Sequence, residues 1–79
     1  MVYCKIKERH EDSAIYNIGT TVNDMSGEIT FFKSGKDPVL NKQAEKRQVG
    51  ERHIVKLYIK YADEFAKGIF KEKLAIEIG

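Results

Sequence analysis

The last third of the chain, residues 51–70, carries the apolar pattern that most restricts how this sequence can fold. Its apolar residues recur at steps of three and four, which is the spacing along one face of an α-helix. This inner stripe consists of Ile54, Leu57, Tyr58, Tyr61, Ala62, Phe65 and Ile69. The arc widens to roughly 220°, at about 100° per residue, through four more residues: Val55, Ile59, Ala66 and Phe70. A helix on a one-sided core needs only about 100° or somewhat more, so the pattern predicts an amphipathic helix with a second apolar flank.

The first 32 residues have a different period, in which apolar and polar side chains alternate. Such alternation is typical of half-buried β-strands, and we predict three of them. Residues 23–27 form the expected hairpin loop between the second and third strands, with Gly27 free to take a positive φ at its exit. The side chains that share one side of their strands are Val2, Cys4, Ile6, Ala14, Tyr16, Ile18, Thr20, Val22, Ile29 and Phe31.

Residues 39–50 lack a clear period. Pro38 fixes its own φ and ends the third strand. Beyond it, Asn41 can cap a short helix that runs through Arg47, or the segment is a mobile loop. Both alternatives remain open on the residues alone.

The end of the main helix is predicted at Gly68, which suits a left-handed C-terminal cap with Ile69 packing back onto the helix. Leu74, Ile76 and Ile78 then alternate with other residues and predict a fourth strand. A crossover helix allows that strand to lie parallel to the third or the first. The alternative is a helix that continues through Phe70 to Leu74, because a glycine inside a helix costs only about 1 kcal/mol.

Together these elements predict a single small α+β domain spanning residues 1–79. Its architecture is a small antiparallel sheet in the order β-β-β-α-β, with one long amphipathic helix packed on one face. An apolar content of 42% excludes a disordered chain, and a charged content of 33% keeps the remaining surface solvated. With 79 residues, the domain is near the lower limit for folding alone, and oligomerisation is a common remedy.

The nucleophilic and metal-binding residue types do not form a recognisable constellation. Cys4, His10 and His53 are the only thiol and imidazole groups, and they lie far apart along the chain. A structural zinc site requires four ligands, usually in closely spaced pairs. We therefore predict no catalytic residues, no metal site and no cofactor, and we expect a protein that is not an enzyme.

The expected compartment is the cytoplasm. A single cysteine cannot form an internal disulfide, which favours a reducing environment. Nothing near the N-terminus resembles a signal peptide, and no apolar run approaches the ~20 residues that cross a bilayer. We accordingly expect no membrane partner.

The wide apolar arc of the helix makes an interaction module the first functional hypothesis. Such a protein forms a homo-oligomer or binds a protein partner. The candidate interface comprises the helix flank and two side chains on the opposite sheet face: Val55, Ile59, Ala66, Phe70, Ile15 and Phe32. The competing explanation is that residues 39–40 and the C-terminal strand cover this flank within one chain.

A nucleic-acid-binding accessory protein is the second hypothesis. Between the third strand and the helix, six basic residues outnumber three acidic ones, and the candidate contacts are Lys33, Lys36, Lys42, Lys46, Arg47 and Arg52. The outward sheet face adds Tyr3 and Phe32 among lysines, and aromatic side chains of this kind stack bases in several RNA-binding proteins. The net charge of +2 is too small to indicate nucleic acid by itself.

Overall fold

A computed structural model describes residues 1–77, which form one five-stranded sheet and one helix. The elements are β1 (Val2–Arg9), β2 (Ser13–Gly19), β3 (Gly27–Phe32), β4 (Val39–Lys42), α1 (Glu51–Ala66) and β5 (Lys73–Ile76). The strand order is β4-β3-β2-β1-β5, and every neighbouring pair is antiparallel. α1 packs across one face of the sheet. The predicted α+β class, a small antiparallel sheet with one helix on one face, is confirmed.

The alternation predicted for the first three strands matches the face that each side chain occupies. Cys4 pairs with Ile18 across β1 and β2, and Tyr16 pairs with Ile29 across β2 and β3. Because partners in register share a face, the alternating residues form one continuous apolar layer beneath α1. Its buried members are Val2, Cys4, Ala14, Tyr16, Ile18, Ile29 and Phe31. Ile6 and Thr20 are half-buried, and Val22 is exposed in the loop because β2 ends at Gly19.

Phe65 lies at the centre of the core. Its ring stacks on Phe31 of β3, with 4.8 Å between the centroids, and on Phe70, at 5.3 Å. Tyr58 and Tyr61 precede it along α1, and each ring centroid lies 6.2 Å from that of Phe65. Five residues of the inner stripe pack as their spacing predicts: Leu57 and Phe65 are fully buried, and Ile54, Tyr58 and Tyr61 are partly buried against the core. Ile69 is exposed, and Ala62 is half-buried outside this cluster.

α1 ends in a Schellman motif at Gly68, as the sequence predicts. Gly68 has φ +76°; its N–H donates to the carbonyl of Phe65 at 2.9 Å, and the N–H of Ile69 donates to that of Glu64 at 2.8 Å. The helix does not continue to Leu74, so that alternative is wrong. The Ile69 side chain is exposed, and the buried apolar residue after the turn is Phe70 instead.

The expectation of a short helix or a mobile loop after Pro38 is wrong for residues 39–42. They form β4, which pairs with β3 through Thr30–Val39 and Glu28–Lys42. A strand of four residues is too short for alternation to be read from the sequence, and its formation depends on the edge that β3 offers.

Gly27 does not take a positive φ. A glycine is nevertheless required at position 27, because the Cβ of any other residue would lie 2.9 Å from the carbonyl oxygen of Lys42.

The connection between β4 and α1 is held by polar side chains. The side-chain oxygen of Gln43 accepts from the N–H groups of Ala44 at 3.0 Å and Val49 at 2.7 Å. From the β2–β3 loop, Ser26 Oγ accepts from the Glu45 N–H at 2.8 Å, and Asp24 accepts from the Lys46 N–H at 3.3 Å. These bonds satisfy backbone groups that have no ladder partner, so the segment is ordered without an apolar period.

β5 also differs from expectation, because it runs antiparallel to β1 rather than parallel to the first or third strand. Cys4 pairs with Leu74 and Val2 with Ile76. The additional strand β4 reverses the chain once more before α1, and β5 consequently enters the sheet in the opposite direction to β1 and β3. The predicted strand also included Ile78, which lies outside the described residues.

Candidate interaction surface

α1 carries a line of apolar side chains on the flank of the helix that adjoins β4. Three residues of the predicted flank follow one another at helical steps: Val55, Ile59 and Ala66. Ala62, which the sequence analysis assigned to the inner stripe, lies on the same line, and these four residues are here called the outer stripe. Ile59 is 68% exposed and Val55 is 50% exposed, although both lie in the middle of a regular helix. Ala66 is exposed and Ala62 is half-buried. A contiguous apolar line of this kind is more unusual on a small protein than single exposed apolar residues.

A groove adjoins the outer stripe between β4 and the N-terminal half of α1. Its volume is about 550 Å³, and Leu40, Ile54 and Tyr58 are among the apolar side chains that line it. Val55 lines both the groove and the outer stripe, which makes the two features one surface. Val39, next to the groove on β4, is 42% exposed. The sequence analysis did not predict this groove, because the groove depends on β4. The one sequence signal for that strand was the β-branched Val39 directly after Pro38.

Phe70 must be removed from the candidate interface. Only 7% of its surface is exposed, and its ring stacks on Phe65. The Schellman turn at Gly68 directs the chain back toward the core, and Arg9 of β1 donates to the Phe70 carbonyl at 3.1 Å. The Phe70 side chain is therefore covered by residues of its own chain, whereas the side chains of Val55 and Ile59 stay exposed.

Ile15 and Phe32 lie on the open face of the sheet, away from α1, and both are half-buried. Ile15 pairs with Thr30 of β3, and the ammonium of Lys36 lies 5.1 Å from the centroid of the Phe32 ring. Neighbouring side chains thus shield both residues in part. They are separate from the outer stripe, which faces solvent on the opposite side of the molecule.

The open face does not bring its two aromatic residues together. Tyr3 pairs with Gly19 at one end of β2, and Phe32 pairs with Ser13 at the other end. Six residues of extended strand span about 20 Å, so the two rings cannot stack on adjacent bases of a strand.

The six basic candidates are divided between the two ends of α1. Lys33 lies against Gly68 at the C-terminal end, whereas Arg52 is in the first turn of the helix. The 16 residues of α1 are about 24 Å long. Lys36 follows Lys33 in the loop after β3, while Lys42 ends β4 and lies opposite Glu28 at the start of β3. Lys46 and Arg47 belong to the connection that follows β4, and the six residues do not form one continuous tract.

Both edges of the sheet are protected against the addition of another strand. At the β5 edge, the Ala75 carbonyl accepts from Lys60 Nζ at 2.9 Å, and the Tyr61 hydroxyl accepts from the Ala75 N–H at 3.3 Å. At the other edge, β4 is only four residues long, follows Pro38, and contains an irregularity in its pairing with β3. Short, bulged and side-chain-capped edges disfavour strand addition. The edges of this sheet therefore disfavour association by strand addition.

The thiol and imidazole groups do not converge. Burial raises the pKa of the Cys4 thiol to about 12, which keeps it protonated at neutral pH. His10 is exposed and lies 3.6 Å from the Glu8 carboxylate, while His53 lies against Gly50 at the start of α1. Within residues 1–77, no group of three or more histidine, cysteine or acidic residues is placed to hold a metal ion.

The helix found in residues 1–77 is too short and too polar to span a membrane.

Comparison with protein-family models, curated protein sequences and solved structures found no match to this chain.

Proposed function

We propose that this protein is a non-catalytic interaction module that pairs with a second copy of itself through the outer stripe of α1. The observation that carries this proposal is the exposure of Ile59 and Val55 at the middle of the helix. Covering these side chains removes apolar surface from water, which is the usual driving force for association.

The charges beside the outer stripe favour an antiparallel pair of helices. Exposed Lys56 lies in the N-terminal half of α1, and exposed Asp63 lies in the C-terminal half. About a twofold axis near Ile59, Lys56 faces Asp63 of the partner subunit, and the same contact recurs on the other side of the axis. Antiparallel helices also place opposite ends of their dipoles together. The small side chains Ala62 and Ala66 allow the helices to approach closely.

The size of this surface sets the strength of the expected dimer. The outer stripe follows a helix of 16 residues, about 24 Å long. A contact confined to one stripe of this length is narrow, whereas a standard stable interface buries ~800 Å² per partner. We therefore expect a dimer that dissociates on dilution.

Sedimentation equilibrium over a range of protein concentrations tests the proposal. We expect the wild type to approach twice the monomer mass at high concentration, and Ile59→Glu to stay monomeric with an unchanged circular dichroism spectrum. Ile69→Glu is the matched control, since Ile69 is also exposed but lies beyond the end of α1. A wild type that stays monomeric at millimolar concentration would refute the proposal.

A nucleic-acid role has weaker support, since the basic residues are divided between the ends of α1. Repeating the sedimentation with single-stranded RNA at increasing salt separates the two functions. Phosphate contacts weaken steeply as salt rises, whereas an apolar helix pair does not.

We place the module in the cytoplasm, because an unpaired buried thiol at Cys4 suits a reducing compartment.

A further inference from the structure

Two lysines face each other on the open face of the sheet. Lys5 of β1 and Lys73 of β5 are direct partners in the register. Like charges at directly opposite positions destabilise a pair of strands. Of the ion pairs found in residues 1–77, none involves either lysine. Lys7, further along β1, has its own partner in Glu28. Among the described residues, the Lys5–Lys73 pair therefore has no carboxylate in ion-pair contact.

A largely apolar pocket of about 410 Å³ lies beside this lysine pair. Tyr3 and Ala75 contribute to it from the sheet, and Val22 and Met25 come from the loop between β2 and β3. Val22 is 61% exposed, so the pocket has apolar surface open to solvent. The two lysines are the only charged residues among those of the described chain that line it. Its volume is within the range of small-molecule sites.

We propose that this pocket binds a small amphiphilic carboxylate, which is a molecule with one anionic group on an apolar body. The carboxylate lies between the ammonium groups of Lys5 and Lys73 and relieves their repulsion. The apolar body covers Val22 and Met25, and the flexible Met25 side chain adapts to its shape. This site is on the sheet face opposite α1 and is independent of the proposed dimer.

Thermal unfolding with four additives tests the site, using decanoate as the probe. Decanoate is expected to raise the Tm by several degrees, because a ligand that binds only the folded state stabilises it. Decanol lacks the charge, acetate lacks the apolar body, and decyltrimethylammonium carries the opposite charge. None of these three is expected to raise the Tm comparably.

Variants of the lysine pair identify the pocket as the binding site. Lys5→Gln and Lys73→Gln are expected to lose most of the decanoate effect, whereas Lys46→Gln, outside the pocket, retains it. Lys73→Glu is expected to raise the Tm of the free protein by pairing with Lys5, and to abolish the decanoate effect. Equal stabilisation by decanol, an undiminished decanoate effect in Lys73→Glu, or no effect of decanoate on the wild type would each overturn the inference.

Discussion

At the scale of single residues, Phe65 and Cys4 illustrate what burial does in a small domain. Phe65 joins α1 to β3 and to the turn after the helix through its contacts with Phe31 and Phe70. Cys4 is a small buried side chain of β1 whose thiol is shielded from solvent. Burial of these two residues leads to a prediction for each about the stability of the fold.

Replacing Phe65 tests the position of the core. Phe65→Ala is expected to lower the free energy of unfolding by about 3–5 kcal/mol, because it leaves a cavity between the helix and the sheet. Such a loss is a large share of the stability of any small domain. Urea unfolding followed by circular dichroism measures it, with Phe32→Ala on the open face as the control. A loss below about 1 kcal/mol in Phe65→Ala would contradict the packing described here.

The Cys4 thiol predicts how stability changes with alkaline pH. Burial raises its pKa in the folded protein to about 12, whereas an exposed thiol in the unfolded chain ionises near pH 8.5. Between these values the folded state retains a proton that the unfolded state loses, so stability falls as pH rises. We expect a decrease of about 1 kcal/mol per pH unit between pH 9 and 10. Cys4→Ala should show a clearly shallower slope, and identical slopes would be inconsistent with this pKa.

At the scale of elements, the end of α1 shows how a local signal can be strong enough to predict structure. Gly68 occupies the left-handed position that the Schellman motif requires. By contrast, β4 has four residues and no period of its own, and only the neighbouring β3 makes it a strand. The antiparallel direction of β5 depends on β4, so missing one short strand made the orientation of another wrong.

Substitution of Gly68 tests the role of this cap. Gly68→Ala is expected to destabilise the protein by about 1 kcal/mol, because a Cβ disfavours its φ of +76°. Gly68→Asn should cost less, since asparagine tolerates the left-handed region better. Thermal and urea unfolding of the two variants compare them directly. Equal stability of the wild type and Gly68→Ala would exclude a conformational requirement at this position.

At the scale of the whole molecule, the sequence predicted the fold class and most of the core because period-2 and helical patterns report which residues share a face. It also identified Val55 and Ile59 as apolar residues beyond the core stripe. It could not show that Phe70 is buried, since that depends on how the turn at Gly68 directs the chain. The groove beside β4 and the pocket beside Lys73 both require strand neighbours that no local pattern reveals.

The proposed contact between two copies of the protein is the outer stripe of α1. Ile59→Cys tests it most directly, because a thiol near the twofold axis meets its own copy across the interface. The native Cys4 is buried and does not compete. Under mild oxidation we expect Ile59→Cys to form a disulfide-linked dimer much faster than Ile69→Cys. Equal cross-linking rates for the two variants would contradict the account.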